Sequence, residues 1–404
     1  MALGDTDHVL DYPIASPAAL EPPAEWAELR QGCPVAHVRL PSGDRASLLT
    51  RYDDVKQVLS DPRFTRHLDA PDAARISANE SGGVFNSGLS DALREEHHQQ
   101  WRRMVGKWFT AKRMTALRPG IEAMAERLVR DMVAGGAPAD LKAALGFPLP
   151  VWVICDMLGV PESDREKFAY WSNTLLSLTR YTQAEIDAAQ AEFGAYMSAH
   201  IAATRQDPGD DLISELIVAA AGAGAVMPDE ALLATAQGLL VAGHETTANM
   251  IGKMVGMLLA DRSRWEALLA DPSLVRTAVE EALRADANPG FGIPRYITED
   301  AEVDGTVIPR GTTVVCNLAA ANRDGSAFAD ADGMDLARTP NAHLAFGAGA
   351  HSCLGQSLAR TELQAVLDVL LRELPTLELA VPAADLERVD GLVVGGLREL
   401  PVRW

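Results

Sequence analysis

Cysteine is scarce in this chain and never closely paired. The 404 residues hold four, Cys33, Cys155, Cys316 and Cys353, far apart and with no CxxC among them. That spacing argues against a disulfide framework and against a zinc site, and suits a reducing compartment. Long apolar runs are missing too. Nowhere do about 18 apolar residues follow one another, so no membrane anchor is expected. The opening "MALGDTDHVLDYPIAS" has neither a basic region nor an apolar core and does not read as a secretory signal. Positive charge is short, 36 Lys and Arg against 56 Asp and Glu, for a net charge of −20. Nucleic acid and anionic membranes are therefore poor candidates for the main partner. No internal repeat and no low-complexity linker divides the chain. What these absences leave is a cytoplasmic globular protein, and 48% hydrophobic residues are ample for its core.

The elements read mainly as helices with a few small sheets. Residues 13–34, rich in proline, look like a loop leading to a strand pair, "AHVRL" and "ASLLT", around a "PSGD" turn. "YDDVKQVLSD" follows as a short helix, then a polar loop over 66–92 of the length that lids and binding loops have. From Glu95 helical periodicity dominates. A single very long helix is expected from Pro228 to about Ala260, roughly 48 Å at 1.5 Å per residue. Short strands in "AEVDGTVIPRGTTVVCN", a last long helix in "LGQSLARTELQAVLDVLLREL" and a Gly-rich hairpin pattern, "VDGLVVGGLRELPVRW", complete the order. Late strands are expected to pair with early ones, making residues 1–404 one interwoven domain.

"HLAFGAGAHSCLGQSLART", His343 to Thr361, is the most demanding stretch. An inert buried cysteine needs no glycines, histidine and phenylalanine at fixed spacing. A cysteine kept as a thiolate against a flat metal cofactor has a use for each. A helix beginning near Leu354 would bring its positive end to Cys353, and loop N–H groups favour the charged form. Gly347, Gly349 and Gly355 let the backbone approach a macrocycle. Phe346 is placed to shield the sulfur, and His351 to reach an anionic edge of the cofactor. The spacing F-G-x-G-x-H-x-C-x-G resembles the haem-binding loop of the cytochrome P450 family, in its soluble bacterial branch. The resemblance runs from "VKQVLSDPRFTR" to "GGLRELP". It implies a single-domain cytochrome P450 fold, mainly α with small β-sheets, with haem b between the long central helix and the helix after the cysteine loop. Cys353 would then be the iron ligand.

"VAGHETTANM", Val241 to Met250, falls inside the long helical run. Glycine costs about 1 kcal/mol relative to alanine there, and threonine is a mediocre helix former. The Thr246 hydroxyl can bond the carbonyl of Ala242 and bend the helix, opening a groove. Small residues at 242 and 243 would leave room beside a haem face. By the resemblance, Glu245 is the proton source and Thr246 the hydrogen-bond donor to the bound oxygen; His244 has no role assigned.

The haem propionates need cations. The resemblance assigns them His98 and Arg102 of "EHHQQWRR", Arg295 of "GIPRYITED", and His351. It places Glu281, Arg284 and Arg338 behind the haem as a structural set. "RRMVGKWFTAKR" gathers Arg102, Arg103, Lys107, Lys112 and Arg113 where an acidic ferredoxin would dock, fed by a ferredoxin reductase. Pocket walls would come from Phe85 and Asn86, Ala242 and Gly243, residues 288–293, and Val393 with Val394. They are mostly apolar and imply a small organic substrate. The implied reaction is hydroxylation or epoxidation of a mostly apolar secondary metabolite. Oxidative C–C or C–N coupling, for example of indole cyclodipeptides, is the alternative. An electron carrier or gas sensor would have no use for the Glu245–Thr246 pair.

Overall fold

Alternating burial along "VAHVR" makes β2 (Val35–Arg39) a half-buried strand, and the "PSGD" turn folds it back onto β3 (Arg45–Leu49). β3 is buried from Ala46 onward and needs a neighbour on its other edge. That neighbour is β9 (Thr313–Cys316), parallel, with Ser47 opposite Val314. With β1 (Leu10–Asp11), β4 (Phe64–Thr65) and β6 (Ile293–Ile297) they form a six-stranded sheet of order β1-β2-β3-β9-β6-β4. Late strands thus pair with early ones. The same holds where β13 (Pro401–Arg403) lies between β5 (Ala139–Asp140) and β10 (Glu378–Leu379). The C-terminal hairpin forms as β11 (Arg388–Val389) and β12 (Gly396–Leu397), and β7 (Ala301–Val303) pairs with β8 (Thr306–Ile308). The structure is a computed structural model that describes residues 9–66, 68–76, 95–175, 181–222, 226–288, 290–389 and 394–404.

Helices make up most of the rest. α1 (Glu25–Gly32) is a departure from the expected loop: between Pro23 and Pro34 it buries Trp26 and Leu29, three apart on one face. α2 (Tyr52–Ser60) lies against the sheet, burying Val55, Val58 and Leu59. α3 (Glu95–Gly106) follows, and α4 (Ala111–Gly135) begins ten residues before the helical stretch read from Ile121, running through Pro119. α5 (Pro148–Met157) has no helical period, because it is buried on nearly every side. α6 (Arg165–Leu175), α7 (Gln183–Gln206) and α8 (Leu212–Gly222) lead to the central run.

That run is two helices, α9 (Asp229–Gly243) and α10 (Glu245–Ala260), interrupted at His244. The expected single helix is corrected here. α10 is buried from Thr247 to Leu259 and packs on α5, on α12 (Val275–Ala285) and on α14 (Gln356–Glu373). Between them in sequence lie α11 (Arg262–Ala270) and the single turn α13 (Leu318–Ala321). α14 also packs along α4. The cysteine loop and the centre of the broken helix are therefore carried by two helices in direct contact. Among the described residues no helix is long and apolar enough to cross a membrane.

Candidate active site

The loop before α14 is shaped by glycine. Gly347 and Gly349 have φ near +70°, and a Cβ at Gly349 would stand 2.5 Å from the Leu59 carbonyl oxygen at the end of α2. No other residue fits there. The Gly347 N–H donates to Leu344 O and the Cys353 N–H to Phe346 O, both at 2.8 Å. Cys353 emerges exposed at the loop's end, whereas Cys155 and Cys316 are buried. Burial pushes those two thiols up to about 12, which makes them inert. Protein packed behind Cys353 also raises its thiol pKa, but the Gly355 N–H, Arg102 and Arg360 pull the other way. The helix begins at Gln356, later than expected, so what reaches the sulfur is the single N–H of Gly355.

Three of the four residues expected at the propionates converge on this loop. His98 is buried and its ring lies 4.3 Å from that of His351. Arg102, one turn on, donates from Nη2 to Ser352 Oγ at 3.2 Å. Arg295 is buried on β6 and donates to the Pro294 carbonyl at 2.9 Å. Ile293, two residues before it, stands 3.7 Å from the Cβ position of Gly347, so β6 flanks the same loop.

At the helix break the Thr246 hydroxyl donates to Ala242 O at 2.6 Å, as the sequence predicts. Glu245 is buried beside it. Thr246 and Ala242, four apart, are exposed on a helix whose neighbours are not. Gly243 does not open space: its missing Cβ is occupied by Ile154 of α5, whose Cδ1 would be 2.4 Å away. His244 is fully buried and meets Phe147 edge-on at 4.4 Å. Burial, barely offset by the nearby Phe147 carbonyl, brings its pKa down to about 3.

Behind the loop, Glu281 and Arg284 are fully buried. Arg284 donates Nε and Nη2 to Glu281 at 2.8 and 2.7 Å, and Arg338 adds Nε at 3.0 Å. Burial opposes the Glu281 charge, yet the bonds from Arg284 and its neighbours outweigh it and lower the carboxyl pKa. The basic run is smaller than its sequence suggests: Arg113 is bound to Glu215 and stacks 4.2 Å over Trp108, leaving Arg103, Lys107 and Lys112 exposed. Phe85, Asn86 and Val393 lie outside the described residues. Sequence reasoning missed Lys253, a buried cation in the apolar face of α10. It donates to Asp286 Oδ2 at 2.6 Å and to Asn288 O at 2.7 Å, fixing the segment expected to line the pocket. A lysine inside "ANMIGKMVGMLLA" was the available signal.

An exposed cysteine on a glycine-turned loop, arginine and histidine side chains gathered around it and an exposed hydroxyl on the helix packed opposite fit a haem with two propionates. The Cytochrome P450 family model matches residues 163–379. The mycinamicin IV hydroxylase/epoxidase of Micromonospora griseorubida is 41% identical over 394 residues, 97% of this chain and 98% of that protein. The nocardicin C N-oxygenase of Nocardia uniformis subsp. tsuyamanensis has the same identity and coverage. The solved structure of the mixed-function P450 MycG is 39% identical, with a TM-score of 0.88 over 98% of this chain and 100% of that one. Sequence and fold agree, and the chain belongs to the cytochrome P450 family as a monooxygenase.

Proposed function

We propose that the chain, acting as one cytochrome P450 domain over residues 1–404, hydroxylates or epoxidises a mostly apolar secondary metabolite in the cytoplasm. Its cofactor is haem b, held between α10 and α14 with Cys353 as the iron ligand. Electrons arrive from a ferredoxin and its reductase. The names of the relatives support this class of substrate: one acts on mycinamicin IV, another on nocardicin C.

Bound haem supplies the reductive activation of dioxygen. His98, Arg102, Arg295 and His351 neutralise its propionates. Cys353 is oriented by the bond from its own N–H to Phe346 O. On the other helix the Thr246 hydroxyl has a resting partner, Ala242 O, from which rotation about one bond turns it toward a ligand. Glu245, buried next to it, holds a proton away from bulk water. This reading rests above all on the Thr246–Ala242 bond at the break in an otherwise buried helix. Arg103, Lys107 and Lys112 offer an acidic ferredoxin a small exposed cationic face, and their charges act mainly on the rate of encounter.

The test compares Thr246→Ala with the wild type for NADPH consumed, hydrogen peroxide formed and product formed. The variant should bind haem and substrate normally and divert reducing equivalents to peroxide. An unchanged ratio of product to NADPH, on a substrate without hydroxyl groups, sinks the role of Thr246. Product mass decides the reaction: gain of one oxygen atom supports hydroxylation or epoxidation, and loss of two hydrogens means oxidative coupling. Cys353→Ser should abolish the red-shifted Soret band of the reduced carbon monoxide complex, since serine cannot supply a thiolate.

A further inference from the structure

We propose that Glu280 is a positioning residue for the cysteine ligand, acting through Arg360 and His343 on the ring of Phe346; this rests on Cys353 being the iron ligand. Successive residues leave a helix about 100° apart. Glu280 and Glu281 on α12 therefore serve different sides. Glu281 turns to Arg284 and Arg338, while Glu280 turns to the cysteine loop. Its Oε1 accepts from Arg360 Nε at 2.7 Å and its Oε2 from Arg360 Nη2 at 2.9 Å, a bidentate pair. Oε2 also accepts from His343 Nε2 at 3.1 Å. The histidine tautomer follows from its other nitrogen. The Ala345 N–H donates to Nδ1 at 3.2 Å, so Nε2 carries the proton that goes to Glu280.

Both donors border one ring. The Arg360 Cζ lies 4.5 Å from the centroid of Phe346, and the His343 ring centroid 5.8 Å from it. Phe346 is also the residue whose carbonyl accepts the Cys353 N–H. One carboxylate on a neighbouring helix thus fixes the ring of Phe346, the residue whose carbonyl orients the Cys353 backbone. Burial opposes the charge on Glu280, but the bonds from His343 and Arg360 bring its pKa down to about 2, so it stays ionised. The brace is also sheltered: the side chains of His343, Glu280 and Arg360 are 2%, 21% and 30% exposed. Water admitted to the sulfur by a tilting Phe346 would hydrogen-bond the thiolate, weaken its donation to iron and raise the reduction potential.

The experiment uses the haem-loaded enzyme with Glu280→Gln and Arg360→Lys. Glu126→Gln serves as a control that removes a more exposed pair, with Arg372, from the same α14. The reduced carbon monoxide complex is held in a fixed moderate urea concentration, and the decay of its red-shifted Soret band is timed. The ferric/ferrous potential is measured alongside. Both brace variants should lose the band roughly tenfold faster, the low end of what removing an outer partner of a metal ligand does, with a potential shifted positive. The control should match the wild type in both readouts. Wild-type decay and potential in Glu280→Gln would overturn the proposal. Should that variant fail to load haem, Phe346→Leu, which leaves the ion pair intact, must reproduce the faster decay, and wild-type behaviour there overturns it equally. A wild-type enzyme without the red-shifted band would instead remove the cysteine ligand itself, a separate failure.

Discussion

On the cysteine side of the site, charged groups do the holding. Glu281 takes bonds from Arg284, Arg338, Asn341 and the Asp335 N–H, and Glu280 takes Arg360 and His343. Across from it, at the break between α9 and α10, the surroundings are Ile154 in the gap at Gly243, Phe147 against His244, the buried Glu245, and the Thr246 hydroxyl bonded across the break to Ala242 O. The first arrangement fixes backbone positions from several elements at once. The second leaves a single rotatable hydroxyl in a tightly packed frame whose buried polar neighbours are Glu245 and His244. A ligand to a metal needs a direction that never changes, whereas a group that handles protons needs two positions of similar energy. The difference between the two sides suits the roles proposed for Cys353 and Thr246.

The contrast can be broken most forcefully from the charged side. Arg284→Ala leaves the Glu281 carboxylate buried without its main partner, at a cost of about 3–5 kcal/mol. Little folded, haem-binding protein should be recovered, as judged by circular dichroism and absorbance. Near-normal recovery would mean that Arg338 alone suffices. On the apolar side the largest effect is a pH dependence. The pKa of His244 falls from 6.5 to about 3 on folding. Between those values the unfolded chain takes up a proton that the folded chain refuses, so stability is full above pH 6.5 and declines as pH falls toward 3. At about 1.4 kcal/mol per pH unit this amounts to a few kcal/mol. His244→Leu should flatten that decline, read from urea midpoints at pH 7 and 4.5, and parallel declines in the two proteins would refute it. The smallest effect is Gly243→Ala, which drives a methyl into Ile154 and should cost about 1–3 kcal/mol. Ile154→Val should recover part of that loss in the double variant, and strict additivity would show that the two residues do not share the space.

Much of this was legible beforehand because it is local. The cysteine loop, the Thr246–Ala242 bond and the two early strands each depend on residues within a few positions of one another. The interruption at His244 was legible only as a bend: Gly243 and the polar run Glu245-Thr246-Thr247 flank it, but no proline marks the end of a helix there. α1 escaped because the prolines on either side of it looked like a loop, although they bound a helix of just eight residues. The use of Gly243 could not be read at all, since Ile154 is 89 positions away (154 to 243) and nothing local marks it. The fate of Arg113 had the same cause: its partner, Glu215, belongs to another helix.

The pairing of β3 with β9 also dictates an order of events during synthesis. Ser47 and Val314 are 267 positions apart (47 to 314), so the strand made early waits for most of the chain before it finds its parallel neighbour. A two-stranded hairpin alone is marginal in water. The helices, whose contacts are local, can form while the ribosome is still working, but the sheet cannot close until residue 316 has emerged. β6, which carries Arg295 and flanks the cysteine loop, lies between β9 and β4 in that sheet. A haem seated against that loop, as proposed, would therefore meet its full site only after residue 316 has emerged.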